Sequence, residues 1–376
     1  MPSVRPSSPI RTPLLAGLGA AVVMVAVAGG LAWLSGEDPA PVSASASIER
    51  PEPIVVVEAP IEPASDPFAE GPADNVSLPG VTETEIALSE PPPPAFVEPA
   101  RPEAPPAPLP GLFEPGPGGA PLPVIAADGT RPDRAYAADF DVVEGAPTIA
   151  VVVGGLGLSE RLTARAIETL PAEVTLSFAP YADDLQGWID RARADGHEVL
   201  IELPMEPFDY PNNDPGPHTL LAEAGSLENE RRLLWLLSRA SGYAGVANYL
   251  GARLGAERDA MAGVFAALEA RGLSVFHDGA GRRAVLEGAG RQADARLAIA
   301  DRVIDADPAP EAVDRRLLEL EALALQDGDA LGHGFAYPAT VDTIALWAEA
   351  LAARGYQLAP ASVLMAKREA REEPET

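Results

Sequence analysis

The chain has 376 residues, with 56 acidic and 27 basic side chains, a formal net charge of −29, and no cysteine. The lack of cysteine excludes disulfides, thiolate metal sites and cysteine nucleophiles. The negative charge excludes nucleic acid and anionic membrane surfaces as electrostatic partners, since both carry the same sign.

Residues 1–13 form a short N-terminus carrying Arg5 and Arg11. The next 21 residues, Leu14 to Leu34, hold no charge and no strongly polar side chain. At helical rise they span about 31 Å, enough to cross a bilayer core. Glu37 and Asp38 follow, so the positive-inside rule predicts a cytoplasmic N-terminus and everything after residue 35 outside. The expectation is a single-pass inner-membrane anchor with a periplasmic C-terminal domain. A cleaved signal peptide is the competing reading, because Ala44-Ser45-Ala46 has the small-residue pattern of a cleavage site.

Residues 35–146 read as a disordered linker. Between 36 and 146 lie 24 of the 41 prolines, with 20 acidic and 4 basic side chains and no lasting apolar period. Ile54-Val-Val-Val57 is either a chance apolar patch or a docking segment for an envelope protein.

From Pro147 the texture changes. Ile149-Ala-Val-Val-Val153 is continuously apolar and of strand length, as expected for a strand buried on both faces of a parallel sheet. Similar runs recur at 174–178, 199–203, 244–249, 273–276, 302–305 and 330–335. Helical patterns lie between them, at Leu185–Ala194, Glu257–Ala270 and Val341–Arg354, ending before Gly196, Gly272 and Gly355. About seven alternating units predict a (β/α) barrel over 147–366, followed by a charged tail, 367–376.

Reactive groups in such barrels sit at the C-terminal ends of strands. Here that rule selects Gly154, Gly155, Asp183, Asp184, Glu202, Glu206, Asn248, Arg253, His277, Asp278, Asp305, Asp307 and His333. Asn248 and Arg253 suit sugar hydroxyls or an oxyanion, with Tyr249 as a stacking face, or else form a buried polar network. His218, in the loop after Pro217, either contacts ligand or lies at the surface. There is no phosphate-binding glycine loop, no Gly-x-Ser-x-Gly elbow and no His-Glu-x-x-His helix.

Gly196-His-Glu-Val-Leu-Ile-Glu-Leu-Pro-Met-Glu-Pro207 and Tyr210-Pro-Asn-Asn-Asp-Pro-Gly-Pro217 resemble, in order, the divergent polysaccharide deacetylase family. Val174–Ala182, Gly242–Arg253 and Arg302–Asp305 share the likeness. The resemblance implies a distorted seven-stranded (β/α) barrel that strips acetyl groups from envelope polysaccharide or peptidoglycan. It also implies a divalent metal, usually zinc, held by one aspartate and two histidines, with a carboxylate base and a histidine acid. The family's Asp-Asp pair after the first strand is Gly154-Gly155 here. Glu202 and Glu206 fall where two histidine ligands would, and are the candidate metal ligands. His277-Asp278 stands at the family's Asp-Asp-Gly, and His333 is the candidate acid, although the family's His-Pro signature falls nearer Phe335-Ala336. Two outcomes are carried forward. One is a metal-dependent N-deacetylase using Asp278, His277 and His333. The other is an inactive pseudo-deacetylase that binds glycan or an envelope partner.

Overall fold

The computed structural model describes residues 107–372. The expected N-terminus 1–13, the anchor at 14–34 and the greater part of the linker lie outside them. Among the described residues no helix is long and apolar enough to cross a membrane.

A short antiparallel hairpin, β1 (Phe113–Pro115) with β2 (Pro121–Pro123), precedes the main sheet. The sheet strands are β3 (Thr148–Leu156), β4 (Thr175–Phe178), β5 (Val199–Met205), β6 (Gly245–Leu250), β7 (Ser274–His277), β8 (Leu297–Ile299), β9 (Arg302–Val303), β10 (Asp329–Phe335) and β11 (Gln357–Leu358). They run parallel in the order β8-β7-β6-β5-β4-β3-β10-β9, with β11 against the first residues of β3. The apolar runs expected to be strands are strands, because their branched side chains are buried on both sheet faces.

The expected strand at 302–305 is broken in two. β8 pairs with β7, while β9 pairs with β10 on the opposite edge of the sheet. Between them Ala300 N–H donates to His277 O and Asp301 N–H donates to Leu331 O, both at 2.7 Å. One segment thus switches edges, and the curled sheet takes the form of a (β/α) barrel with a seam. Side chains stitch that seam. Asp301 Oδ2 accepts the Leu331 N–H at 2.8 Å. The Arg368 guanidinium donates to Ile299 O at 3.3 Å, Asp301 Oδ2 at 2.6 Å and Asp329 Oδ1 at 2.7 Å.

Period-two alternation sorts the strands' side chains. Ile149, Val151, Val153, Ile201, Val246 and Val275 pack outward under the surrounding helices. Ala150, Val152, Leu200, Ala247, Phe276 and Leu331 face inward and meet Ala361, Leu364 and Met365. The helix Ala361–Glu372 therefore plugs the end of the barrel where the strands begin. Each fully buried aliphatic side chain contributes about 1.5–3 kcal/mol. The helices expected at 185–194 and 257–270 are Leu185–Ala194 and Arg258–Glu269. The third is Pro338–Glu349, followed by a separate 3₁₀ turn at Ala352–Arg354.

Two expected boundaries move. Residues 107–146, read as linker, pack onto the barrel: Leu122 joins the main core, and Arg131 bridges to Glu269 at 2.5 Å. Asp133, with a fully buried side chain, pairs with Arg296 at 2.7 Å. The tail expected from 367 instead continues the plug helix, and Lys367 donates to Thr148 Oγ1 at 2.8 Å.

Candidate functional site

The inward-facing residues at the C-terminal strand ends build the mouth of the barrel. β3 delivers Gly154 and Gly155, and Gly155 has φ +76°, a left-handed conformation that disfavours a side chain. Opposite them, β5 delivers Glu202, only 4% exposed. The Gly155 N–H donates to Glu202 Oε1 at 2.5 Å. A Cβ on Gly154 would lie 2.6 Å from the same oxygen. The carboxyl missing from β3 is thus replaced, in the same volume, by one reaching across from β5. Burial pushes the Glu202 carboxyl up to about 7, against the opposing effect of the Gly155 bond. Glu202 forms no ion pair among the described residues.

Aromatic rings surround this carboxyl. Phe335 packs edge-on to Tyr249 and to His333, with centroids 6.1 and 5.5 Å apart, and Tyr337 stands 6.3 Å from Phe335 and half exposed. Burial raises the Tyr249 phenol, and the Glu202 charge adds to that shift. Phe335 and Tyr337 were not among the expected site residues. The family's histidine signature aligned onto Phe335-Ala336 was the signal that this position belongs to the mouth.

The candidate catalytic residues do gather. His333 is buried, and its pKa is lowered by burial, with Asp278's charge opposing and His277's adding. Its Nδ1 has no partner among the described residues. Asp278 is held firmly: Asn248 Nδ2 donates to Asp278 Oδ1 at 2.8 Å, and the Asp278 N–H donates to Asn248 Oδ1 at 2.8 Å. His277 Nδ1 lies 3.0 Å from the Gly279 N–H and 3.4 Å from Asp278 Oδ1. The closer contact is the Gly279 N–H donating to Nδ1.

The expected substrate-binding residues disperse. Asn248 also donates to Leu250 O at 2.7 Å, so its amide positions Asp278 rather than a sugar. Tyr249 is at the mouth. Arg253 pairs with the exposed Glu223 at 2.6 Å. His218 stacks on Trp235, with centroids 3.6 Å apart and planes within 1°, and its backbone N–H donates to the Tyr181 hydroxyl.

The expected metal pair does not form a site. Glu206 Oε2 accepts the Ala222 N–H at 2.6 Å, which commits it to bracing the loop, while Glu202 is committed to Gly155. Among the described residues no three histidine, aspartate or glutamate side chains converge as a metal site. Zinc needs about four ligands, three of them from protein in catalytic sites, and the residues present do not supply them.

Residues 151–365 match the family described as divergent polysaccharide deacetylase. The chain belongs to that family. An uncharacterized protein from Agrobacterium tumefaciens C58 is 38% identical, with a TM-score of 0.63 over 65% of this chain and 99% of that one. A CE4 family pseudoenzyme from Bacillus anthracis is 13% identical, with a TM-score of 0.32 over 59% of this chain and 66% of that one. A peptidoglycan deacetylase from Bdellovibrio bacteriovorus is 13% identical, with a TM-score of 0.32 over 60% of this chain and 54% of that one. The last two are too distant to carry chemistry across. None of the curated proteins matches.

Proposed function

We propose that this family member is a pseudo-deacetylase, whose barrel mouth binds an N-acetylated envelope glycan without hydrolysing it. The observation that carries this reading is the position of Glu202. Its carboxyl fills the space of the family's β3 acid and accepts a backbone N–H there, while no metal-ligand set converges around it among the described residues. Without a metal to polarise the amide carbonyl, the family's route to acetate loses its main source of oxyanion stabilisation. The rings of Tyr249, Phe335 and Tyr337 supply apolar faces of the kind on which pyranose rings stack.

The apolar segment 14–34 and the proline-rich stretch after it support an inner-membrane anchor that places the barrel in the periplasm, where peptidoglycan is the glycan at hand. The test pairs two assays on the full-length protein in mild detergent. Calorimetric titration with an N-acetylglucosamine tetramer is expected to show binding, and an acetate-release assay on the same oligomer is expected to stay at background with and without zinc. Zinc-dependent acetate release that Glu202→Gln abolishes would overturn the reading.

One observation favours a second reading. His277 lies against Asp278, and the charge of Asp278 opposes the effect of burial on His333, an arrangement suited to proton transfer. In that case the protein is a carbohydrate N-deacetylase, and Asp278→Asn removes the acetate signal.

A further inference from the structure

We infer that Glu202 reads the acetyl group itself, as a neutral carboxylic acid whose Oε2–H donates to the acetamido carbonyl of the bound sugar. This rests on the glycan-binding reading above and gives that site its specificity. Three observations converge on it. The Gly155 N–H occupies Oε1, which makes Oε1 the acceptor oxygen and leaves Oε2 to carry the proton. Oε2 forms no hydrogen bond among the described residues, yet it belongs to the residue that faces the mouth beside Tyr249 and Phe335. Among the described residues no arginine, lysine or histidine pairs with this carboxyl. β3 offers it only the backbone of Gly154 and Gly155, and β6 offers Tyr249, so the Gly155 N–H alone opposes the effect of burial, which is the larger of the two. Burial pushes the group to about 7, in keeping with an acid still largely protonated on the acidic side of neutrality.

The two states of the carboxyl recognise opposite ligands. A neutral acid complements an amide carbonyl, whereas a carboxylate complements the ammonium of a de-N-acetylated sugar. The glycines at 154 and 155 then have a role of their own. They make room for an acid from β5 and supply the N–H that orients its proton.

The experiment is calorimetric titration of the full-length protein at pH 6 with an N-acetylglucosamine tetramer and with its de-N-acetylated counterpart. The wild-type protein is expected to prefer the acetylated tetramer by about tenfold or more, the scale of one hydrogen bond made or left unmade. Glu202→Ala is expected to lose that preference. Glu202→Gln, which keeps an acceptor toward Gly155 and a donor in place of Oε2–H, is expected to restore it. Circular dichroism checks that both variants fold, and the near-isosteric Gln variant keeps the test decisive if the Ala variant does not. Wild-type preference for the de-N-acetylated tetramer, or a Gln variant that fails to bind the acetylated one, overturns the inference while leaving glycan binding standing. Wild-type binding to neither tetramer removes the glycan reading, and this inference with it.

Discussion

Restoring the family's acid is the natural repair, and the geometry says that it fails. A Cβ on Gly154 would sit 2.6 Å from Glu202 Oε1, so Gly154→Asp brings a second carboxyl into an occupied volume. The steric part is modest, because Oε1 is the far end of a flexible side chain. The larger costs are electrostatic. Displacing Glu202 breaks its bond from the Gly155 N–H, and leaving such a donor without its partner costs about 1–3 kcal/mol. If Glu202 stays, two ionised carboxyls about 4 Å apart repel by about 4 kcal/mol near the protein surface, which one of them escapes by remaining protonated. The net expectation is a loss of about 2–4 kcal/mol and a fall in Tm of roughly 5–15 °C, with no acetate released. Gly154→Asp combined with Glu202→Ala is expected to recover most of that loss, giving a coupling of about 1–3 kcal/mol in a double-mutant cycle. Thermal unfolding of the wild type, both single variants and the double variant measures this directly. If Gly154→Asp leaves Tm unchanged, or the two substitutions are additive, the two residues do not compete for one space and the reasoning is wrong.

Glu202 also imposes a pH dependence on stability. Its pKa is raised on folding, so its contribution is fully present below the unfolded value near 4.5 and is lost as pH rises through about 7. Denaturant titrations between pH 4.5 and 8 are expected to show a loss of about 3 kcal/mol attributable to this group, with a clearly flatter profile in Glu202→Gln. Arg368→Ala removes the cation that stitches β8 to β10 and leaves the buried Asp329 partnered only by Arg371. It is expected to destabilise the protein by about 3–5 kcal/mol, read as a Tm shift. Deleting residues 1–146 rather than 1–106 strips Asp133 from Arg296 and Arg131 from Glu269. The shorter protein is expected to unfold at a lower denaturant concentration than the one that keeps 107–146.

Much of the barrel is legible in the sequence, because strands buried on both faces leave an unbroken apolar signature. Ile149–Val153 and the run from Val199 could hardly be anything else. The split strand is harder to see. Leu297–Ile299 and Arg302–Val303 are short and separated by Asp301, whose side chain does the work of a strand carbonyl toward Leu331. Residues 107–146 look like linker because their few anchors, Leu112, Leu122 and Tyr136, are scattered among prolines and charges without a period. Their charges look solvated until Glu269 and Arg296, more than a hundred positions away, are brought against them. In the mouth, strand ends point to Glu202, Asp278 and His333, but not to which of them touch. The pairing of Glu202 with Gly155 spans 47 positions and follows no period, and the burial that makes Glu202 an acid rather than a ligand exists only in the folded barrel. Asn248 stands out in sequence, yet its polar atoms are spent within the protein, which only the contacts reveal.

The plug helix also sets the order in which this barrel can be completed. Lys367 reaches Thr148 across 219 residues, Ala361 N–H reaches Thr175 across 186, and Ser362 N–H reaches Glu198 across 164. The seam between β8 and β10 is fastened by Arg368, from the same helix. A chain made from its N-terminus therefore holds its first strands with an open base and an unfastened seam until its last dozen described residues arrive. Such long-range closure is slow. During that interval the inward faces of Ala150, Val152 and Leu200 stand exposed to chaperones, proteases and other copies of the chain. Lesions in Ala361–Glu372 should accordingly appear first as poor accumulation in the cell, before any change at the distant mouth can be measured.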